Sequence, residues 1–223
     1  KYPWGFSSLS MNVNITIDII LNNPNEKWDM YYFSKNKNIS NKIVEDNINL
    51  NWCYSNLSLN DSITFDLVKK FPNKSWCFRN LSKNKNITMK IIKENPNYDW
   101  DFDCLSQNES ITIKDVKENI YEDWNFASLS ENPNINWNDV KNNPDLYWNI
   151  NNLSRNINID KEILFENNFD WNIDNLSSNQ NIDLDFIQDN NNLEWNWNKI
   201  NYNSFAKSKK RFIETLKNKE NLI

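Results

Sequence analysis

The sequence predicts an all-α fold: an α-solenoid of 24-residue repeats, each with two short helices, and a C-terminal capping helix. Three observations predict it. Tryptophan recurs at Trp4, Trp28, Trp52, Trp76, Trp100, Trp124 and Trp148 in steps of 24, then at Trp171 and Trp195 after steps of 23 and 24. Helix-capping residues stand at two fixed places in most periods. Asparagine, often followed by proline, closes each apolar stretch in a chain with one glycine and no histidine. A fixed period of this length is the signature of a repeat architecture.

With each of these tryptophans as register zero, the repeats can be compared with one another. Register 5 runs Leu9, Phe33, Leu57, Leu81, Leu105, Leu129, Leu153, Leu176 and Ile200. The residue after each tryptophan is of capping type in most copies, as at Asp29, Asp101, Asn125 and Asn149, and register 5 then falls where a hydrophobic staple needs an apolar partner. Register 11 is isoleucine from Ile15 to Ile182, register 12 supplies a second N-cap such as Thr88 or Asp183, and register 16 is always aliphatic. Thr112 with Asp115 and Asn136 with Asp139 fit a capping box. Register 6 is serine from Ser10 to Ser177, and register 8 is asparagine in all nine copies, Asn12 to Asn203. Registers 8 and 19 are expected to end the two helices in a left-handed conformation, where asparagine is the usual substitute for glycine. Pro24, Pro72, Pro96 and Pro144 then block continuation.

Helices of about seven or eight residues do not persist alone, since isolated helices below ~12 residues are marginal in water. Stacking of neighbouring pairs must hold them, which is the logic of a solenoid. The array covers residues 1–203, with nine tryptophan-initiated repeats of which the first and last are incomplete. Lys1 stands within a few residues of a register-zero tryptophan, so an upstream continuation is expected. Residues 204–223 break the pattern. Phe205, Phe212, Ile213 and Leu216 recur there at helical spacing among Lys207, Lys209, Lys210 and Arg211, which predicts the capping helix.

Composition narrows the function classes. A net charge of -5 argues against a general polyanion binder. No apolar run approaches the ~20 residues of a membrane span, and no signal peptide is evident, so no membrane partner is expected. Cys53, Cys77 and Cys104 lack metal-ligand spacing and read as reduced, half-buried thiols. Sequons such as Asn14-Ile15-Thr16 would be glycosylated within the core motif in a secretory compartment, which favours an intracellular setting. No serine elbow, glycine-rich phosphate loop or paired metal ligands occur, so neither catalysis, a cofactor nor a small-molecule substrate is expected.

Stretches such as Trp100-Asp101-Phe102-Asp103-Cys104-Leu105-Ser106-Gln107-Asn108 and Asn132-Pro133-Asn134-Ile135-Asn136-Trp137 resemble the Trp/Asn/Pro-rich short tandem repeats of giant DNA viruses of amoebae, of the mimivirus-like kind. The resemblance covers residues 1 to about 203. It implies a viral protein acting in the host cytoplasm or viral factory, and it brings no catalytic or ligand-binding residues with it. Ser62 and Ser110 at register 10, and Ile48 and Ile120 where proline would stand, depart from the pattern.

The registers that vary carry the functional expectations. Tyr31, Tyr32, Arg79 and Asp103 at registers 3 and 4, with Leu59 at register 7, are the candidate contacts for a protein partner. Lys69, Lys93, Lys117 and Lys141 at register 17 form a candidate anion-binding ladder, backed by Lys70, Lys90 and Lys114. The bland reading of that ladder is lysine suited to the last turn of a helix, with Lys90–Glu94 and Lys114–Glu118 as i,i+4 pairs. Tyr31, Tyr32 and Leu59 have a bland reading too, as local packing, and the extra Trp137 and Trp197 read as repeat packing. The leading expectation is a non-catalytic protein-protein scaffold. The alternatives are a repeat-type nucleic-acid binder that uses the lysine ladder and a structural virion component.

Overall fold

The computed structural model describes residues 5–166 and 169–203. Among these residues the chain is all-helical, with seventeen short helices and no strand. It divides into two compact units, Lys1–Ile111 and Thr112–Ile223. The first holds α1 (Phe6–Met11), α2 (Ile17–Asn22), α3 (Met30–Phe33), α4 (Asn41–Asp46), α5 (Tyr54–Leu59), α6 (Phe65–Lys70), α7 (Phe78–Lys83), α8 (Met89–Glu94) and α9 (Phe102–Leu105). The second holds α10 (Ile113–Glu118), α11 (Phe126–Glu131), α12 (Trp137–Lys141), α13 (Ile150–Leu153), α14 (Lys161–Glu166), α15 (Ile173–Leu176), α16 (Leu184–Asp189) and α17 (Trp197–Tyr202). The expected capping helix over 204–223 and the first register-zero residue, Trp4, lie outside the described residues.

Most cap residues work as the sequence predicts, although Thr16 and Thr64 make no side-chain cap hydrogen bond. Asp101, Asn125, Asn149, Asn172 and Asn196 each accept a hydrogen bond from a backbone N–H in the first turn of the helix they precede. Ser40, Thr88 and Asp183 do the same for second helices. Thr112–Asp115 and Asn136–Asp139 form complete capping boxes. The helices are shorter than expected, at four to six residues.

Registers 5 and 11 form the core. Phe33, Leu57, Leu81 and Leu105 in the first unit, and Leu129, Leu153 and Leu176 in the second, are at most 1% exposed, as is every register-11 isoleucine from Ile39 to Ile182. Each such side chain contributes roughly 1.5–3 kcal/mol by leaving water. The helices that carry register 5 pack on their successors, α1 on α3, α5 on α7, α7 on α9 and α11 on α13.

The asparagines correct one expectation. At register 8 the backbone is extended, with φ −71 and ψ 125 at Asn84 and φ −65 and ψ 128 at Asn132. At register 19 it is also right-handed in φ, with φ −135 and ψ 56 at Asn95. Phe71, the non-asparagine residue at register 19, adopts φ −129 and ψ 61, so the conformation itself does not require asparagine. Side-chain hydrogen bonds require it instead. Asn84 Nδ2 donates to the carbonyls of Ser58, Asn60 and Ile63 in the preceding repeat at 3.1, 3.1 and 3.3 Å, while its Oδ1 accepts from the Asn86 N–H at 2.9 Å. Asn108 repeats this on Ser82, Asn84 and Ile87. In the second unit Asn156 and Asn179 do so one repeat apart. Four polar bonds from one buried amide satisfy carbonyls that the short helices leave open.

Register-6 serine completes the join. Ser82 Oγ donates to the Phe78 carbonyl at 2.8 Å and accepts from the Asp101 N–H of the next repeat at 3.0 Å. Ser58 and Ser154 are bonded in the same way, and both are fully buried.

Register-19 asparagine closes its own helix by donating from Nδ2 to the carbonyl four residues back, as Asn95 does to Ile91 at 2.8 Å. Its main-chain carbonyl receives the indole N–H of the next tryptophan, Trp100 to Asn95 at 2.9 Å. Because the acceptor is main chain, Trp76 makes the same bond to Phe71 at 2.9 Å.

Candidate functional site

The side chains that repeat are consumed by core and ladder, which leaves the varying registers to meet solvent. In the first unit, Leu59 on α5, Arg79 on α7 and Asp103 on α9 stand on consecutive packed helices. Tyr31 is 50% exposed and Leu59 43% exposed, whereas Tyr32 is half-buried. The two tyrosine rings meet edge to face at 5.2 Å, and Lys35 Nζ lies 4.6 Å from the Tyr31 ring centre. The face is tied down from beneath: Asn56 Nδ2 donates to the Tyr31 carbonyl at 2.7 Å, and Asn80 Nδ2 to the Ser55 carbonyl at 2.9 Å.

Arg79 Nε lies 3.7 Å from an Asp101 carboxylate oxygen. The Cys104 thiol, then Asp101 and Asp103, raise the Arg79 pKa above its ordinary value. Burial, then Asp101, pushes the Cys104 thiol up. The ligand atoms of Asp101, Asp103 and Cys104 lie within 4.8 Å of one another, a grouping that could hold a metal ion. Asp101 already accepts the Cys104 N–H at 2.8 Å, and the Arg79 guanidinium supplies positive charge there. The spacing of the three cysteines carries no sign of this cluster; the signal lies in the Asp101-x-Asp103-Cys104 segment itself.

The lysine ladder is divided between the units, with Lys69 and Lys93 in the first and Lys117 and Lys141 in the second. All four are exposed. Lys69 pairs with Asp66 at 2.8 Å and Lys70 with Glu45 at 2.7 Å. Lys90–Glu94 and Lys114–Glu118 stand at 3.8 and 3.7 Å, the i,i+4 pairs expected from sequence. Exposed pairs of this kind contribute about 0–1 kcal/mol each. Within the ladder itself Lys69 is paired in this way; the other pairs offset the charge of the backing lysines.

Two adjoining apolar cavities, of about 360 and 350 Å³, lie in the second unit and share Phe169 as a wall. Trp137 lines the second and is 8% exposed. Its ring meets Phe169 edge to face at 5.4 Å and Trp171 at 5.7 Å, and its indole N–H has no hydrogen-bond partner among the described residues. Trp137 is thus repeat packing, as expected, but Trp197 is 61% exposed, against expectation. No described helix is long and apolar enough to cross a membrane.

No protein-family model, no curated protein and no solved structure matches the chain.

Proposed function

We propose that the chain is a non-catalytic scaffold for protein-protein interaction, an α-solenoid whose repeated side chains hold the stack and whose varying side chains choose the partner. The observation that carries this reading is the division of labour between registers. Serine and asparagine at registers 6 and 8 are buried and bonded across repeats, while Tyr31, Leu59 and Arg79 on neighbouring helices reach solvent. Of the groups with shifted pKa, Lys42, Lys69 and Asp174 are exposed members of ion pairs, Tyr54 is shifted by burial, Arg79 and Cys104 belong to the Asp101 cluster, and none lines a cavity named above. On the resemblance to giant-virus repeats alone, its proposed setting is the host cytoplasm or viral factory. Pairing of Lys69, Lys90 and Lys114 with carboxylates favours this reading over a nucleic-acid reader.

Affinity capture from infected host-cell lysate, with and without nuclease and read by mass spectrometry, tests it. Defined proteins retained after nuclease, and lost with Arg79→Glu/Asp103→Lys, are expected. Loss of every partner on nuclease treatment, and on Lys69→Glu/Lys93→Glu/Lys117→Glu/Lys141→Glu, would replace the scaffold with the nucleic-acid reading.

A further inference from the structure

The two units differ in charge. Residues 112–223 carry eighteen acidic and twelve basic side chains, whereas residues 1–111 carry twelve and thirteen. Part of this excess lies in the turn before each register-zero tryptophan. Those turns share one hydrogen bond: the tryptophan N–H donates to the carbonyl two residues back, Trp124 to Glu122 and Trp148 to Leu146 at 2.8 Å, Trp171 to Phe169 and Trp195 to Leu193 at 2.9 Å. The pairs Glu122–Asp123, Leu146–Tyr147, Phe169–Asp170 and Leu193–Glu194 are therefore equivalent positions in successive repeats. Tyr121 and Asp145 stand one residue earlier in their turns. In the first unit the same turns are mixed, with Lys27 and Lys74 beside Glu26, Tyr98 and Asp99.

These turns present rings beside carboxylates. Tyr121 is 100% exposed, Tyr147 83% and Phe169 44%. Glu122, Asp123, Asp145, Asp170 and Glu194 are exposed, and no ion pair of theirs is found among the described residues. Between the Asp145–Tyr147 turn and Phe169 lies the 350 Å³ cavity, walled by Trp137, Val140, Pro144, Leu146, Trp148 and Phe169. Lys141 also lines it.

We infer that this edge of the second unit is a docking strip for a partner segment rich in lysine or arginine and bearing apolar side chains. The inference rests on the scaffold reading and names the chemistry of one partner. Exposed rings attract cations through their faces, and a guanidinium or ammonium between Tyr147 and Asp145 gains both contacts at once. An apolar side chain of the same segment fills the cavity, whose walls are mostly apolar. The acidic excess disfavours an acidic segment or a phosphate backbone at the same place.

The full chain is titrated into a labelled twelve-residue peptide of alternating arginine and leucine, with glutamate–leucine and arginine–serine peptides as controls, and anisotropy is read. The arginine–leucine peptide is expected to bind at least tenfold more tightly than either control. Asp145→Lys/Asp170→Lys, at exposed positions that leave the fold unchanged by circular dichroism, is expected to weaken it at least tenfold, and Lys141→Glu to tighten it. Equal binding of the three peptides, or indifference to the double variant, would overturn the strip; lysate capture that still depends on Arg79 and Asp103 would then leave the scaffold reading standing. Tighter peptide binding after Lys209→Glu/Lys210→Glu/Arg211→Glu would assign the strip to the chain's own basic segment and overturn the partner.

Discussion

The side-chain amide of Asn84 donates to the main-chain carbonyl of Asn60, its counterpart one repeat earlier, at 3.1 Å, and both residues are buried. Asn60 in turn donates to the carbonyl of Asn36 at 3.0 Å. One residue type at one register thus joins successive repeats in the first unit, with each amide bonded to its predecessor's backbone.

Asn84→Ala should be among the most damaging single substitutions in the chain. It removes the bonds to the Ser58 carbonyl and from the Asn86 N–H, and takes one of two bonds from the carbonyls of Asn60 and Ile63. An unsatisfied buried group costs about 1–3 kcal/mol, so a loss of about 3 kcal/mol or more is expected in urea titration. Asn97→Ala, at an exposed position, should change stability by less than about 0.5 kcal/mol. Equal effects of the two would remove the ladder as a source of stability.

Cys77 is an N-cap whose side chain makes no cap hydrogen bond, whereas Asn125 at the same register accepts the Ser128 N–H at 2.9 Å. Cys77→Asn should therefore stabilise the fold by about 0.5–1 kcal/mol. Thermal melting of the two proteins reads it directly, and a lower Tm in the variant would mean that the thiol's packing outweighs the missing cap.

Cys104 is fully buried and its pKa is raised by burial, then by Asp101, while Cys53 and Cys77 are half-buried. Alkylation requires an accessible thiolate, so iodoacetamide at pH 8 should modify Cys104 last and by at least tenfold more slowly. Because its folded pKa lies above the unfolded one, stability should also fall as pH rises through the ordinary thiol range. Peptide mapping over time gives the order, and equal rates at the three cysteines would place Cys104 at the surface.

Asp174 is paired closely with Lys199 and accepts a hydrogen bond from Asn196 at 2.6 Å. Lys199 first, then Asn196, lowers its pKa. A lowered carboxylate stabilises the fold above its unfolded pKa, ordinarily about 3.9, and that contribution disappears as pH falls through the lower folded value. The small Tm advantage of the native chain over Asp174→Asn at pH 6 should shrink below about pH 4 and in 1 M salt. An advantage that survives both would point to shape and not charge.

Sequence alone determined the period, the helical class, both cap registers and the core registers, because caps and staples act between residues only a few positions apart. Thr112–Asp115 and Asn136–Asp139 were legible as capping boxes for that reason. The work of register-8 asparagine was not legible. Its partners, such as Ser58, Asn60 and Ile63 for Asn84, lie 21 to 26 residues away and become neighbours only when one repeat is laid on the next. Asparagine at a helix end suggested a left-handed turn, yet Phe71 shows that the backbone there needs no special residue. Tertiary structure likewise decided the candidate sites. Exposure of Tyr31 and Leu59 depends on what neighbouring helices cover, and the cavity beside Phe169 forms from turns and helices of successive repeats, distances that no local pattern encodes.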